Sequence, residues 1–309
     1  MPLLSLCIPT NGVVEWVFPV LDSIFLQNCD TNKFEVVITD NGNNAIFKKR
    51  VKEYIEKYDN IKYYETTALP FLNEIESYKK ASGEFLKYVN HRTKLLPGTL
   101  KKLIEYVEDN MNSKPITYFS NGVLKMSQKE HEYKNFDSFV SSLSYWSSWS
   151  TGMAIWKRDF EKLPSEVTLF NELFPHTDVL FSERKREKYI IDNTLIFDEL
   201  PQKKTPKGNY NLFFAFGIEY LSIILDLYKN KDISIDTFKN VKNDNLKFVA
   251  SLYFEYFIKK TYCSYDLSGL KDIYDVFYTK EQIRRQVTRI VFTKIICKMK
   301  NIFRMGCKG

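Results

Sequence analysis

The chain has 309 residues, of which 44% are hydrophobic, 27% charged and 16% aromatic. This is enough for one large or two modest domains with a sizeable core, and it excludes a disordered or fibrous chain. The net charge of +7 is concentrated in residues 280–309, where nine Lys/Arg face Glu281 alone, so the remainder sums to about −1. A basic tail on a near-neutral body argues against a nucleic-acid-binding protein, and no nucleic acid partner is expected.

The five cysteines, Cys7, Cys29, Cys263, Cys297 and Cys307, show no paired spacing. This predicts reduced thiols in a cytoplasmic compartment, without a zinc site. Met1–Thr10 has no basic region followed by a long apolar run, so no secretory signal is expected. No window reaches the roughly 18 uncharged apolar residues that would span a bilayer.

In chain order, Leu3–Thr10 reads as a buried strand stopped at Pro9, and Trp16–Leu26 has the apolar spacing of a helix. Phe34–Asp40 is a second buried strand, closed by the turn-forming Asn41-Gly42-Asn43-Asn44. Ile46–Tyr58 reads as a helix and Ile61–Glu65 as a third strand. A helix opens at Asn73 and stops at Gly83. Phe85–Val89 is a fourth strand and Gly98–Asn110 another helix. Alternation of this kind predicts an α/β fold, a mainly parallel sheet with helices on both faces. Ligands of such sheets sit beyond the carboxyl ends of the strands. Here those ends are Pro9-Thr10-Asn11, Asp40-Asn41 and Asn90-His91-Arg92.

Past Ile116 the pattern loosens. Ile116–Phe119 and Met153–Trp156 look like strands, separated by the Ser/Trp-rich stretch Ser141–Ser150. Pro201–Gly208 reads as a hinge or linker, and Leu212–Leu227, Thr237–Lys260 and Ile273–Arg304 read mainly as helices. In the last of these Ile283, Val287, Ile290, Val291, Ile295, Met299, Ile302 and Phe303 recur at helical spacing among Lys and Arg. That is the pattern of a basic amphipathic helix on an anionic membrane surface; a nucleic-acid arm or a helix packed on the protein are the other readings.

Three segments, in order and suitably separated, carry a resemblance. Leu4–Asn11, Phe34–Gly42 and Ala81–Phe85 resemble the nucleotide-binding half of inverting family 2 glycosyltransferases, those of bacterial O-antigen and capsule assembly in particular. The resemblance covers about residues 3–105 well and about 150–200 weakly. It implies a GT-A fold over 1–205, with a nucleotide-binding half to about 105 and an acceptor half from about 106, followed by a C-terminal helical region over 206–309. It also implies transfer of a sugar from a nucleotide-sugar to a lipid-linked or surface-polysaccharide acceptor, by a peripheral enzyme on the cytoplasmic face of the inner membrane.

Residue by residue, the resemblance assigns the nucleotide-sugar to Pro9, Thr10, Asn11, Asp40, Asn41, Asn73, Asn90, His91 and Arg92. Asp40 can equally be a turn-initiating residue before Asn41-Gly42. Family members place Asp-x-Asp after the fourth strand, where it chelates Mg²⁺ or Mn²⁺ through the diphosphate. Here Asn90, His91 and Arg92 stand there, and no carboxylate lies between Glu84 and Glu105. Three readings stay open: fixed cations (Arg92, assisted by Lys94 or His91) replace the metal, a weakly held Mg²⁺ or Mn²⁺ binds through Asn90, or the chain is an inactive nucleotide-sugar-binding or scaffolding relative. Inverting transfer needs a carboxylate base. Asp178, in His176–Arg184, is the candidate, although Thr177 replaces the family's Glu; Glu172 is the fallback, and an Asp placed to stabilise a helix N-terminus is the other reading. Trp149 and Gly152 are the candidate acceptor contacts, and Trp146 and Trp149 can equally be core.

Overall fold

Strands buried on both faces read as unbroken apolar runs, and the first two follow that rule. β1 (Leu4–Thr10) is buried except at Pro9, and β2 (Phe34–Asp40) along its whole length. The computed structural model describes residues 1–201, 208 and 210–306, the stretch 298–306 as helical backbone only. They form two compact units, Met1–Gln202 and Lys203–Gly309. The expected linker Pro201–Gly208 lies outside the described residues except at its two ends.

In the first unit β1 is followed by α1 (Val14–Phe25), β2, α2 (Ala45–Lys57), β3 (Ile61–Glu65), α3 (Asn73–Lys80), β4 (Phe85–Tyr88), β5 (Thr93–Leu95) and α4 (Thr99–Asn110). Then come β6 (Ile116–Phe119), β7 (Glu130–Tyr133), α5 (Phe136–Leu143), β8 (Ala154–Trp156), α6 (Lys157–Phe160), α7 (Pro175–Leu180), β9 (Tyr189–Asp192) and β10 (Phe197–Glu199). The main sheet runs β3-β2-β1-β4-β8, parallel except for β8. A second sheet, β6-β9-β7, and a ribbon, β10-β5, complete the unit.

The period of two along the strands divides the core. Leu4, Leu6, Ile8, Val36 and Ile38 pack with Val17, Val20, Leu21 and Ile24 of α1, Phe47 and Val51 of α2, and Leu100, Leu103 and Val107 of α4. The alternate residues of β1 and β2 meet α3, where Cys7 Sγ lies 3.9 Å from the Ser77 carbonyl and Thr39 Oγ1 donates to the Asn73 carbonyl at 3.1 Å.

One charged group is built into this architecture. The Glu35 carboxylate, 2% exposed, accepts from Ser5 Oγ (2.6 Å), Ser82 Oγ (2.9 Å) and the Gly83 N–H (3.2 Å), and pairs with Lys62 at 2.6 Å. Burial opposes its charge, but the bonds from Lys62, Ser5 and Ser82 outweigh that and hold Glu35 below the ordinary carboxylate value. The cluster locks the entry of β4 against β1 and β2, and so fixes where the turn after β4 emerges.

In the second unit α8 (Leu212–Phe214) runs through a π-turn at Ala215–Glu219 into α9 (Tyr220–Lys229), followed by α10 (Ile235–Tyr253) and α11 (Lys280–Gly306). The helix expected from Ile273 begins at Lys280 instead. Ile273 is a buried core residue in the preceding turns, and the helix is set by a reciprocal cap between Thr279 and Gln282: the Gln282 N–H donates to Thr279 Oγ1 at 3.2 Å and the Thr279 N–H to Gln282 Oε1 at 2.9 Å. Among the described residues no helix is long and apolar enough to cross a membrane.

Candidate active site

The strand order fixes where a ligand can enter. From β1 the chain steps outward to β2 and β3, then returns to the other side of β1 as β4. Connections diverge at that reversal and leave a crevice beyond the carboxyl ends of β1 and β4. Thr10 ends β1, and Asn90, His91 and Arg92 form the turn between β4 and β5. The two sides are joined directly: His91 Nδ1 lies 2.9 Å from Thr10 Oγ1, with the imidazole packed on Trp16 of α1 at 4.9 Å between ring centroids. Burial, with Arg92 beside it, pushes His91 down to about 3. It is therefore neutral near pH 7 and offers a hydrogen bond, not a charge.

Asp40 stands beside Thr10 in the β1–β2 register. Its carboxylate is 1% exposed and accepts from the Gly42 N–H at 2.8 Å and the Tyr63 hydroxyl at 2.9 Å. Burial raises its value above the ordinary one, against those two bonds. The Asp40–Gly42 bond is the turn-initiating geometry of an Asx residue, so Asp40 shapes the loop beyond β2. Gly42 cannot be replaced cheaply, since an added Cβ would lie 2.0 Å from the Asn11 carbonyl oxygen. Pro9 is half-buried in β1 opposite Thr39, and Asn11 is exposed on the loop beyond. Asn41 holds the far rim by donating to the Ala68 carbonyl at 3.0 Å. Asn73, buried at the start of α3, donates to the carbonyls of Thr10 (3.2 Å) and Thr39 (2.9 Å) and accepts from Thr66 Oγ1 (2.8 Å). It pins both strand ends and is placed to support the crevice.

The turn after β4 has a poor donor set for a divalent cation. Asn90 Oδ1 accepts the Arg92 N–H at 3.0 Å, His91 Nδ1 is engaged by Thr10, and there is no carboxylate in the turn. Among the described residues no group of three His, Cys, Asp or Glu side chains could hold a metal. The hard, oxygen-seeking Mg²⁺ does not fit these ligands. Arg92 lies with its guanidinium carbon 5.2 Å from the Trp16 ring centroid, and its buried Nε has no hydrogen-bond partner. Lys94 lies on β5 opposite Asp198.

The acceptor-half candidates lie on the next layer. Asp178 is half-buried in the first turn of α7, and its Oδ2 accepts the Asn171 N–H at 2.6 Å; Glu172 is exposed on the loop before it. α7 packs against α3, where His176 Nδ1 lies 3.8 Å from Glu74 Oε2, next in sequence to Asn73, beyond hydrogen-bond reach. His176 Nε2 donates to the Ser148 carbonyl at 2.8 Å, and Thr177 Oγ1 to that of Ser147 at 3.0 Å. Burial pushes Glu74 up to about 8 and His176 down to about 4, so both are neutral near pH 7. Trp149 follows, with its ring 5.2 Å from that of Trp146 and its carbonyl accepting from the Tyr118 hydroxyl at 2.8 Å. Gly152 is buried against Tyr118, where an added Cβ would lie 2.2 Å from Cζ. Beneath this loop Lys87 of β4, 1% exposed, donates to the carbonyls of Tyr88 (2.9 Å), Thr151 (2.7 Å) and Met153 (3.1 Å). Burial lowers it to about 7.

The structure thus brings Thr10, Asp40, Asn73 and His91 together at the carboxyl ends of β1 and β2, and packs α7, which bears Asp178, against α3. Sequence reasoning passed over Tyr63, Trp16, Glu74 and Lys87. The available signal was a charged residue inside an apolar run, as Lys87 is within Phe85–Val89.

No known family profile matches the chain. A curated relative, the uncharacterized glycosyltransferase MG025 of Mycoplasma genitalium, is 29% identical over 112 residues, 35% of this chain. The chain covers 38% of the length of that relative. Among solved structures, S. aureus TarS matches with a TM-score of 0.55 at 15% identity, over 82% of this chain and 44% of TarS. TarS 1–349 in complex with UDP-GlcNAc matches with a TM-score of 0.55 at 14% identity, over 94% of this chain and 92% of that one. The mixed α/β fold, with its mainly parallel sheet flanked by helices, is that of these glycosyltransferase structures.

Proposed function

We propose that the chain is an inverting glycosyltransferase that takes a sugar from a nucleoside-diphosphate sugar held at the β1–β4 crevice. The observation that supports this most is the convergence of Thr10, Asp40, Asn73 and His91 at the strand reversal of a fold similar to glycosyltransferases. Asp40 and the Thr10 region take the base and ribose. Asp178 removes the proton of the acceptor hydroxyl as it attacks the anomeric carbon. Trp149 and Gly152 border the acceptor, a lipid-linked or surface-polysaccharide glycan of the O-antigen or capsule type. The test is a panel of nucleotide-sugars, screened for thermal stabilisation and then for release of nucleoside diphosphate with and without glycan acceptors. Release that rises with acceptor, giving product of inverted anomeric configuration, is expected. Binding without release by any donor would instead favour the non-catalytic binding or scaffolding reading.

The place of work proposed is the cytoplasmic face of the inner membrane, reached through α11. Its first half is packed, with Ile283 and Val287 buried, but Phe292, Ile295 and Ile296 are 60%, 48% and 50% exposed. In sequence the stripe continues as Met299, Ile302 and Phe303, with Arg289, Lys294, Lys298, Lys300 and Arg304 interleaved. Exposed apolar residues among cations suit an anionic leaflet, where each Lys or Arg contributes about 1 kcal/mol. The full chain should therefore sediment with vesicles of anionic lipid, less so as salt rises, and a chain with the exposed Phe292, Ile295 and Ile296 replaced by serine, which spares the buried Ile273, Ile283 and Val287, should not. Indifference of the full chain to anionic vesicles would assign α11 to packing or protein contacts.

A further inference from the structure

We propose that the Arg92 guanidinium is the fixed cation of this site and takes the diphosphate in place of a divalent metal. The inference rests on the glycosyltransferase reading above and concerns how the leaving group is held. Arg92 is the last residue of the turn between β4 and β5, next to His91, which meets Thr10 at the strand reversal. Three observations point to an anion there. The guanidinium lies over the Trp16 ring, 5.2 Å from its centroid, which orients its plane while leaving its edge N–H groups unused by the ring. Its Nε is buried without a hydrogen-bond partner among the described residues, so a donor of this guanidinium is left for a ligand or a water to meet. No carboxylate among the described residues pairs with Arg92, and none exists in sequence from Phe85 to Ile104. The metal alternative lacks its ligands: Asn90 Oδ1 is engaged by the Arg92 N–H, and Nδ1 of His91 by Thr10.

The step balances without a cation. The acceptor oxygen bonds to the anomeric carbon and its proton passes to Asp178. The bond from that carbon to the diphosphate oxygen breaks, and its electron pair stays on the oxygen. The negative charge gained by the diphosphate is met by the two-pronged N–H face of Arg92.

Two measurements test this. Inorganic pyrophosphate titrated calorimetrically in the presence of a strong chelator should bind the wild-type chain. Arg92→Ala should abolish that binding, and Arg92→Lys, which keeps the charge and loses the fork, should restore part of it. Thermal melts of both variants confirm folding, and Arg92→Lys decides if Arg92→Ala melts early. With a donor that the wild type turns over, activity should survive the chelator and fall about 10²–10³-fold in Arg92→Ala, the loss typical of removing one pre-placed donor from a developing anion. Pyrophosphate binding that requires Mg²⁺ or Mn²⁺, that is absent in the wild type, or that is unchanged in Arg92→Ala overturns the inference. So does activity lost in chelator and restored by either metal. Absence of turnover with every donor would count against the enzyme reading alone, because the pyrophosphate measurement does not depend on it.

Discussion

If Asp178 is the base proposed above, Asp178→Asn should lower transfer by about 10²–10⁴-fold while affinity for the donor is kept, the range that general base catalysis commonly contributes. The substitution is close in shape to the original side chain. Asparagine can still accept the Asn171 N–H that now bonds Asp178 Oδ2 at 2.6 Å, so this contact between the loop and α7 can be kept. What is removed is the ability to take a proton. A purely structural role predicts a different outcome: Asp178→Asn would then be nearly silent and Asp178→Ala would act through stability. The readout is kcat under donor saturation, together with the donor dissociation constant. Near-normal kcat in Asp178→Asn moves the base elsewhere, with Glu172 next to be tested.

The largest stability effect is expected at Glu35. Glu35→Ala removes the acceptor of Ser5 Oγ, Ser82 Oγ and the Ser82 N–H and the carboxylate partner of Lys62, while the Gly83 N–H keeps Ser5 Oγ (2.9 Å) and Lys62 keeps Ser82 Oγ (3.1 Å). Breaking a buried pair costs about 3–5 kcal/mol, and because the Lys62 side chain is 40% exposed the lower end, about 3 kcal/mol, is expected. Glu35→Gln keeps several of the hydrogen bonds and loses the charge, so it should cost less. The pH dependence has a definite sign. The Glu35 carboxylate is held below its unfolded value, so its contribution is present above that value and disappears as pH falls through the folded one. Denaturant titrations at neutral and acidic pH should show the gap between wild type and Glu35→Gln narrowing on acidification. Equal stability of wild type and Glu35→Ala at neutral pH would show that the cluster does not anchor β4.

Much of the nucleotide-binding half was legible in the sequence because fully buried parallel strands leave unmistakable apolar runs. Leu4–Thr10, Phe34–Asp40, Ile61–Glu65 and Phe85–Tyr88 are found within a residue of where the sequence places them. Their carboxyl ends then locate the crevice by topology alone. β5, β7, β9 and β10 were missed; each is only three or four residues long, and of strands this short only the apolar β6 and β8 stood out. β7, Glu-His-Glu-Tyr, lies at a sheet edge with its glutamates exposed, so it carries no apolar signal. α5 was hidden differently: Phe136, Phe139, Val140 and Leu143 have helical spacing, and Asn135 caps it by accepting the Ser138 N–H at 2.8 Å, but the Ser-rich stretch that follows reads as loop. The site divides in the same way. The positions of Asp40 and His91 at strand ends were legible. The tie of His91 to Thr10, the Tyr63 bond to Asp40 and the Lys87 clamp join residues far apart in sequence, and no local pattern marks such pairs.

The most direct test of the crevice as a nucleotide site is calorimetric. Nucleoside diphosphates, UDP first, are titrated into the wild-type chain and into Asp40→Ala, whose fold is checked by its melt. Asp40 is buried, with its carboxylate already holding Gly42 and Tyr63, so its loss removes the shape of the loop and, on the proposed reading, a ligand acceptor. Saturable binding of at least one nucleoside diphosphate by the wild type, weakened at least about tenfold in a folded Asp40→Ala, a change of 1.4 kcal/mol, is the expected result. Equal affinity in the two proteins, or no binding of any nucleoside diphosphate by the wild type, would contradict it.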